Sequence, residues 1–386
     1  MRRSTRGLVR LALGAVGSLG SLEACGATPA STAPALACSA LDGSSATDGL
    51  WIASDYSSSR VGAFALGGAL TVTTGVDLGA DPALSLSRGR AFYVARDQDV
   101  VFELDPACGF PKSRFSVHQA SHTGSSNPQA VAVATDGSLW VPLYDVPALL
   151  VLDSTGALER MIDLSGEDGD GNPNASAIAI VDTPAGEKAF VALERLNDKD
   201  GLKSEQPSWM LRVDVARRTV DTHVALVGRN PFGMVADGAS LWLSEPGNFD
   251  DATETNAGIE RFDTTTSTTA LVAREPDLGG SVAEVAVNGG CGVAIVADPT
   301  ASNATSLVTF DPATGQVLAA AVRSPLATTG FDLQGLAWKA GVLLAGDRRR
   351  LSAGYPVHAF DAEAGCDLRE RTPITLFLPL PPIEIR

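Results

Sequence analysis

The feature that most constrains this chain of 386 residues is an internal repeat with a period near 50. A period of 20 to 50 residues fixes an architecture before any local reading does. An apolar segment with a large second residue recurs as Leu50-Trp51-Ile52, Phe92-Tyr93-Val94, Leu139-Trp140-Val141, Ala189-Phe190-Val191, Leu241-Trp242-Leu243, Val293-Ala294-Ile295 and Val342-Leu343-Leu344, with central residues 42, 47, 50, 52, 52 and 49 apart. A second apolar segment follows it and from the second copy on ends in Asp, at Asp105, Asp153, Asp214, Asp263, Asp311 and Asp361. A third, rich in small residues, precedes it, as in Asp81–Leu86, Asn127–Val133 and Asn230–Val235. A fourth alternates polar and apolar residues, as in Ala157–Leu164 and Thr219–Leu226, the pattern of a half-exposed strand. With 39 glycines and 22 prolines the chain is punctuated too often for long helices. Four short strands per repeat, seven times over, predict an all-β, seven-bladed β-propeller of four-stranded blades.

The small-residue segment appears only six times, because nothing before Leu50 carries it. A terminal strand is therefore expected to close the ring. Ile383-Glu384-Ile385, behind Pro381-Pro382, is the first choice and residues 35 to 41 are the alternative.

The N-terminus reads as an address. Arg2, Arg3, Arg6 and Arg10 precede the short apolar run Leu11–Leu22, the layout of a secretory signal and too short to span a bilayer. Leu22-Glu23-Ala24-Cys25 resembles a bacterial lipobox, which implies lipidation at Cys25; plain periplasmic or secreted export is the alternative. The division is then a signal peptide at 1–24, a Pro-rich lipid-anchored tether at 25–36 and the propeller at 37–386. Membrane contact would come only through the anchor, and a monomer in the cell envelope is expected. Without Cys25, four cysteines remain. In an oxidising compartment the pairs Cys291–Cys366 and Cys38–Cys108 are expected, against four separate buried thiols.

The repeat resembles YVTN-like and NHL-like propellers, with Asn-Pro opening the third type of segment and a terminal Asp on the second. Residues 163 to 290, including Asp163–Ala175, Val191–Asn197, Asn230–Gly233 and Asn256–Glu260, are similar to the uncharacterised propeller lipoproteins of bacteria such as myxobacteria. That resemblance implies a location and no activity.

Function is less legible. A formal charge of −16 repels phosphate backbones and excludes nucleic acid as a partner. In a propeller the second-to-third-strand loops share one face with the blade-to-blade connections. At that exit stand Asp55, Asp97, Asp145, Glu194, Glu245, Asp298 and Asp347. Turn chemistry explains such acids; a ring of carboxylates that attracts cations is the alternative. On the same face Asp168-Gly-Asp170-Gly-Asn172-Pro-Asn174 offers oxygens at alternate positions, as calcium loops do, with Glu194 or the insertion 197–205 completing a Ca²⁺ site. A solvated turn is the other reading. No catalytic residue is assigned. The leading expectation is a module that binds a protein or small-molecule ligand through the acidic face; the alternative is a metal-dependent lyase or lactonase at the central mouth, like the streptogramin lyases.

Overall fold

The structure is a computed structural model and describes residues 47–322 and 330–386. Cys25, Cys38, the export segment and the tether lie outside the described residues. The strands form seven separate antiparallel sheets, each the blade that one repeat predicts. From inner to outer strand, blade two is Pro82–Ser87, Arg90–Ala95, Val100–Leu104 and Pro111–Ser116. Blade four is Ala175–Thr183, Gly186–Leu193, Trp209–Asp214 and Thr219–Ala225, and blade five is Gly233–Asp237, Ser240–Glu245, Gly258–Asp263 and Thr268–Arg274. Blades three, six and seven follow the same order, blade seven with its outer strand in two pieces, Leu368–Glu370 and Leu376–Leu378.

Blade one is closed from the far end of the chain. Its inner strand is Pro382–Ile385, paired to Gly49–Ser54 with Trp51 opposite Ile385 and Ile52 opposite Glu384. The third strand, Ser59–Phe64, pairs on the other side. Thr71 N–H and Thr73 N–H then donate to Ala63 O and Val61 O, so residues 69–73 act as the outer strand. The closing strand is the first of the two terminal segments expected.

The second strand of each blade is apolar on both sides because each blade is sandwiched between two others. Alternate side chains point to opposite faces of a strand. Phe92 and Val94 therefore pack against blade three with Leu139 and Val141, while Tyr93 packs against blade one with Leu50 and Ile52. Trp140 turns the other way, toward Ala189 and Val191 of blade four. Seven clusters of this kind fill the seven junctions. Inner strands lie too far apart to share a ladder, and polar side chains bridge them instead. Ser85 and Ser87 accept from Val131 N–H and Val133 N–H, Glu284 from Gly335 and Leu336, and Glu384 from Leu84.

Asp at the end of the third strand is a turn device. Asp105, Asp153, Asp214, Asp263 and Asp311 each accept a backbone N–H two or three residues on. Asn127, Asn174 and Asn230, just ahead of inner strands, sit at φ of 53°, 52° and 61°, a left-handed conformation that Asn tolerates well.

Cys291 opens the second strand of blade six and Cys366 lies in a turn of blade seven; a disulfide joins them across 75 residues of sequence. Cys108 is also disulfide-bonded, and Cys38, its expected partner, lies outside the described residues. Closing a loop of that length removes unfolded-chain entropy worth about 4 kcal/mol. The pair Cys291→Ser/Cys366→Ser is expected to lose about that much stability, measured by chemical denaturation against the wild-type chain.

Candidate functional site

The acids that leave the second strands divide by blade. Asp55 accepts from Ser57 N–H and Ser58 N–H and Asp298 from Thr300 N–H, so these two cap their own turns, whereas Asp97 accepts from Ala80 N–H and ties down the connection that enters blade two. Asp145 is exposed in the turn after the blade-three second strand. Asp347 is buried and pairs with Arg349 and with His358, whose other ring nitrogen meets Glu370 at 2.6 Å. The bonds from His358 and Arg349 hold the Asp347 carboxyl below the usual range, against the opposing effect of burial, which is the largest single influence.

Glu194 and Glu245 are buried. Glu194 accepts from Tyr144 O–H at 2.6 Å. Glu245 lies beside Glu260 under Gly228, and burial, then the Glu260 charge, pushes its carboxyl well up. Glu260 accepts from the N–H groups of Val227 and Gly228 and from the Thr269 hydroxyl. Gly228 is required here, because a Cβ would collide with the Glu245 carboxyl.

The loop Asp168–Asn174 locks onto the 197–205 insertion. Asp170 accepts from Asp198 N–H at 3.1 Å, and the Asp198 carboxylate in return accepts from the Asn172 and Asn174 amides at 2.9 and 3.0 Å. The structure thus gathers Asp170, Asn172 and Asn174 around Asp198. Asp168 turns away: it accepts from Gln206 at 2.5 Å and lies 3.6 Å from Arg195, whose guanidinium sits 3.6 Å over the Trp209 ring. His223 stacks on the far side of Trp209 at 3.9 Å. Glu194 meets the loop through its backbone, donating to Asn174 O at 3.1 Å, while its carboxylate serves Tyr144. Among the described residues, no group of three or more His, Cys, Asp or Glu converges to hold a metal ion.

Beside this loop, the insertion of blade four and the blade-five loop 246–257 enclose a cavity of about 530 Å³. Asp200, Glu205, Asp250, Asp251 and Glu254 line it, and among the described residues Lys203 is the one cationic side chain that does. Lys203 is already paired to Asp200 at 2.6 Å. Asn248 ties the two loops together, accepting from Ser204 N–H at 3.1 Å and donating to Glu254 at 2.5 Å. The other Glu254 oxygen is buried with no hydrogen-bond partner. Sequence reading passed over Asp250, Asp251 and Glu254, although Asn248-Phe-Asp-Asp-Ala-Thr-Glu254 is the second acid-rich loop on this face and its density of carboxylates was the available signal.

No protein-family model matches the chain, and no curated protein does. Solved structures do. A putative 6-phosphogluconolactonase from Bacteroides uniformis aligns with a TM-score of 0.55 and 12% identity over 88% of this chain and 98% of its own. A second from Bacteroides fragilis gives 0.54 and 12% over 88% and 97%. A streptogramin B lyase gives 0.50 and 12% over 85% and 88%. At that identity the likeness is one of fold: the chain is a β-propeller.

Proposed function

We propose that this propeller is a binding module that takes a cationic organic ligand in the cleft between the 197–205 insertion and the 246–257 loop. The observation that carries the reading is the cavity itself, about 530 Å³ walled by five carboxylates against one ammonium already neutralised by its neighbour. Low-dielectric walls lined by one sign of charge focus the field and raise the local concentration of the opposite charge. The volume is that of a small-molecule site and exceeds what a bare ion needs. A ligand with several spaced amines can meet the carboxylates from both loops at once. Calcium is the second cation proposed, at the Asp170 and Asp198 carboxylates with the Asn172 amide oxygen, which is buried without a hydrogen-bond partner, whereas the Asn174 oxygen is taken by Leu196 N–H. Export and a lipid anchor at Cys25 would present this face outside the cytoplasm, and the Cys291–Cys366 disulfide supports an oxidising compartment.

A lyase or lactonase would need acid–base groups at the central mouth. The inner-strand carboxylates Glu284 and Glu384 serve backbone N–H groups of the next blade, which favours binding over catalysis.

The test is calorimetric titration with spermidine and, separately, with calcium chloride. Spermidine is expected to bind the wild-type chain and to bind Asp250→Asn/Asp251→Asn about tenfold more weakly or worse, since each lost charge-assisted contact is worth about 1.5–3 kcal/mol at full desolvation. Calcium binding is expected to be lost in Asp170→Asn/Asp198→Asn. Equal spermidine affinity in wild type and the Asp250/Asp251 variant refutes the cleft; calcium binding that survives the Asp170/Asp198 variant refutes that site.

A further inference from the structure

The turns on the opposite face, which join first to second and third to fourth strands, carry different chemistry. Between blades four and five they enclose a cavity of about 420 Å³ lined by Lys188, Arg212, Arg217, Asp221, Thr264 and Thr265, among others. Lys188 rises from the second strand of blade four and is 4% exposed. Its ammonium lies 2.6 Å from Asp214 and 2.8 Å from Asp221. Arg217 braces the same two carboxylates at 2.9 and 3.7 Å, and the Arg212 Nε lies 3.6 Å from Asp221. Three cations therefore meet two carboxylates, leaving local positive charge in a chain whose formal charge is −16.

The cations keep donors in reserve. The Arg212 Nε–H is buried and makes no hydrogen bond, although its Nη1 donates to Ser267 Oγ at 3.0 Å. A buried charged donor without an acceptor costs free energy that a further acceptor would recover. An ammonium has three N–H groups, and Lys188 spends two on carboxylates. The Arg217 side chain is 71% exposed at the rim and able to reorient. Across the cavity stands the exposed Thr265 of the blade-five turn.

We infer that this cavity binds a tetrahedral oxyanion, the phosphate or sulfate group of a small ligand. Guanidinium forks match such groups bidentately. The donors come from two strands and a turn of blade four and from a turn of blade five, so a group with oxygens in several directions can be met from more than one wall, which suits a tetrahedral group over a planar carboxylate. The residues involved share none with the acidic cleft on the other face, so each proposal stands or falls alone.

The experiment is calorimetric titration of the full chain with sodium phosphate, sodium sulfate and sodium acetate at constant ionic strength, in wild type, Arg212→Gln and Arg217→Gln. Arg217 is a surface side chain, so its variant reports on binding without endangering the fold. Saturable binding of phosphate or sulfate is expected, weakened about tenfold in each variant. Preference for phosphate assigns a phosphoryl source and preference for sulfate a sulfate ester, and both uphold the site. The inference is overturned if neither ion binds saturably, if acetate binds as tightly as both, or if both variants bind like wild type.

Discussion

A chain truncated after Pro381 is expected to lose its cooperative melting transition. The deleted residues supply the inner strand of blade one, whose hydrogen-bonded pairing with Gly49–Ser54 joins the C-terminal end of the chain to the first blade and closes the ring. Ile383 and Ile385 are 4% and 1% exposed, and each packs into a different junction, Ile383 between blades one and two and Ile385 between blades seven and one. Removing a buried Ile costs about 2–5 kcal/mol. The truncation also strips Leu50 N–H and O of their bonds to Arg386 and leaves Leu84 N–H without Glu384. The total approaches the 5–15 kcal/mol on which a whole domain rests. Ile385→Ala alone is expected to lower the melting temperature yet keep one transition, checked by scanning calorimetry. A truncated chain that melts like the full one would mean that the ring is closed by some other segment.

Stability is expected to fall as pH rises from about 4.5 toward 9, because buried glutamates oppose ionisation. Burial pushes Glu284 from its ordinary 4.5 up to about 7, even though Gly335 and Leu336 donate to it. Burial pushes Glu275 up to about 9 against the bond from Val282 N–H. The sign follows from proton counting. Below 4.5 these groups are protonated in both folded and unfolded chains. Above it the unfolded chain releases protons that the folded chain keeps, so unfolding gains free energy until the folded value is passed. For Glu284 the loss is about 3 kcal/mol, complete above pH 7. For Glu275 the decline continues to about pH 9. Asp99 and Asp347, held below the ordinary 3.8, act in the opposite sense and give up stability only as pH falls below that value. Glu275→Gln keeps a carbonyl for Val282 N–H and removes the titration. Thermal melts across this range are expected to show a flatter profile for the variant, with the largest gain at the alkaline end; parallel profiles would contradict the assignment.

The architecture was legible because it rests on local pattern repeated. Apolar runs such as Leu139-Trp140-Val141 announce a strand buried on both faces, and the missing seventh inner strand pointed to Ile383–Ile385 by subtraction. The Cys291–Cys366 pair followed from placing both residues on one face of neighbouring blades. The site was less legible because its partners come from different repeats. Nothing near Asp347 in sequence announces Glu370 of the outer strand, and Glu260 is recognisable only by alternation, sharing the inward side of its strand with Phe262. The acidic face likewise resolves into turn caps at Asp55 and Asp298, a tie to the preceding connection at Asp97 and buried groups at Glu194, Glu245 and Asp347, leaving the accessible charge to two loops 40 to 50 residues apart that sequence order does not juxtapose.

We propose that the acidic cleft between blades four and five is where this propeller takes its ligand. Amide hydrogen exchange of the full chain with and without saturating spermidine tests it most directly. Slowed exchange is expected, confined to residues 198–205 and 246–257, the two walls of the cavity. Unchanged exchange in both loops, or protection centred on the turns around Lys188 and Arg217, would contradict it.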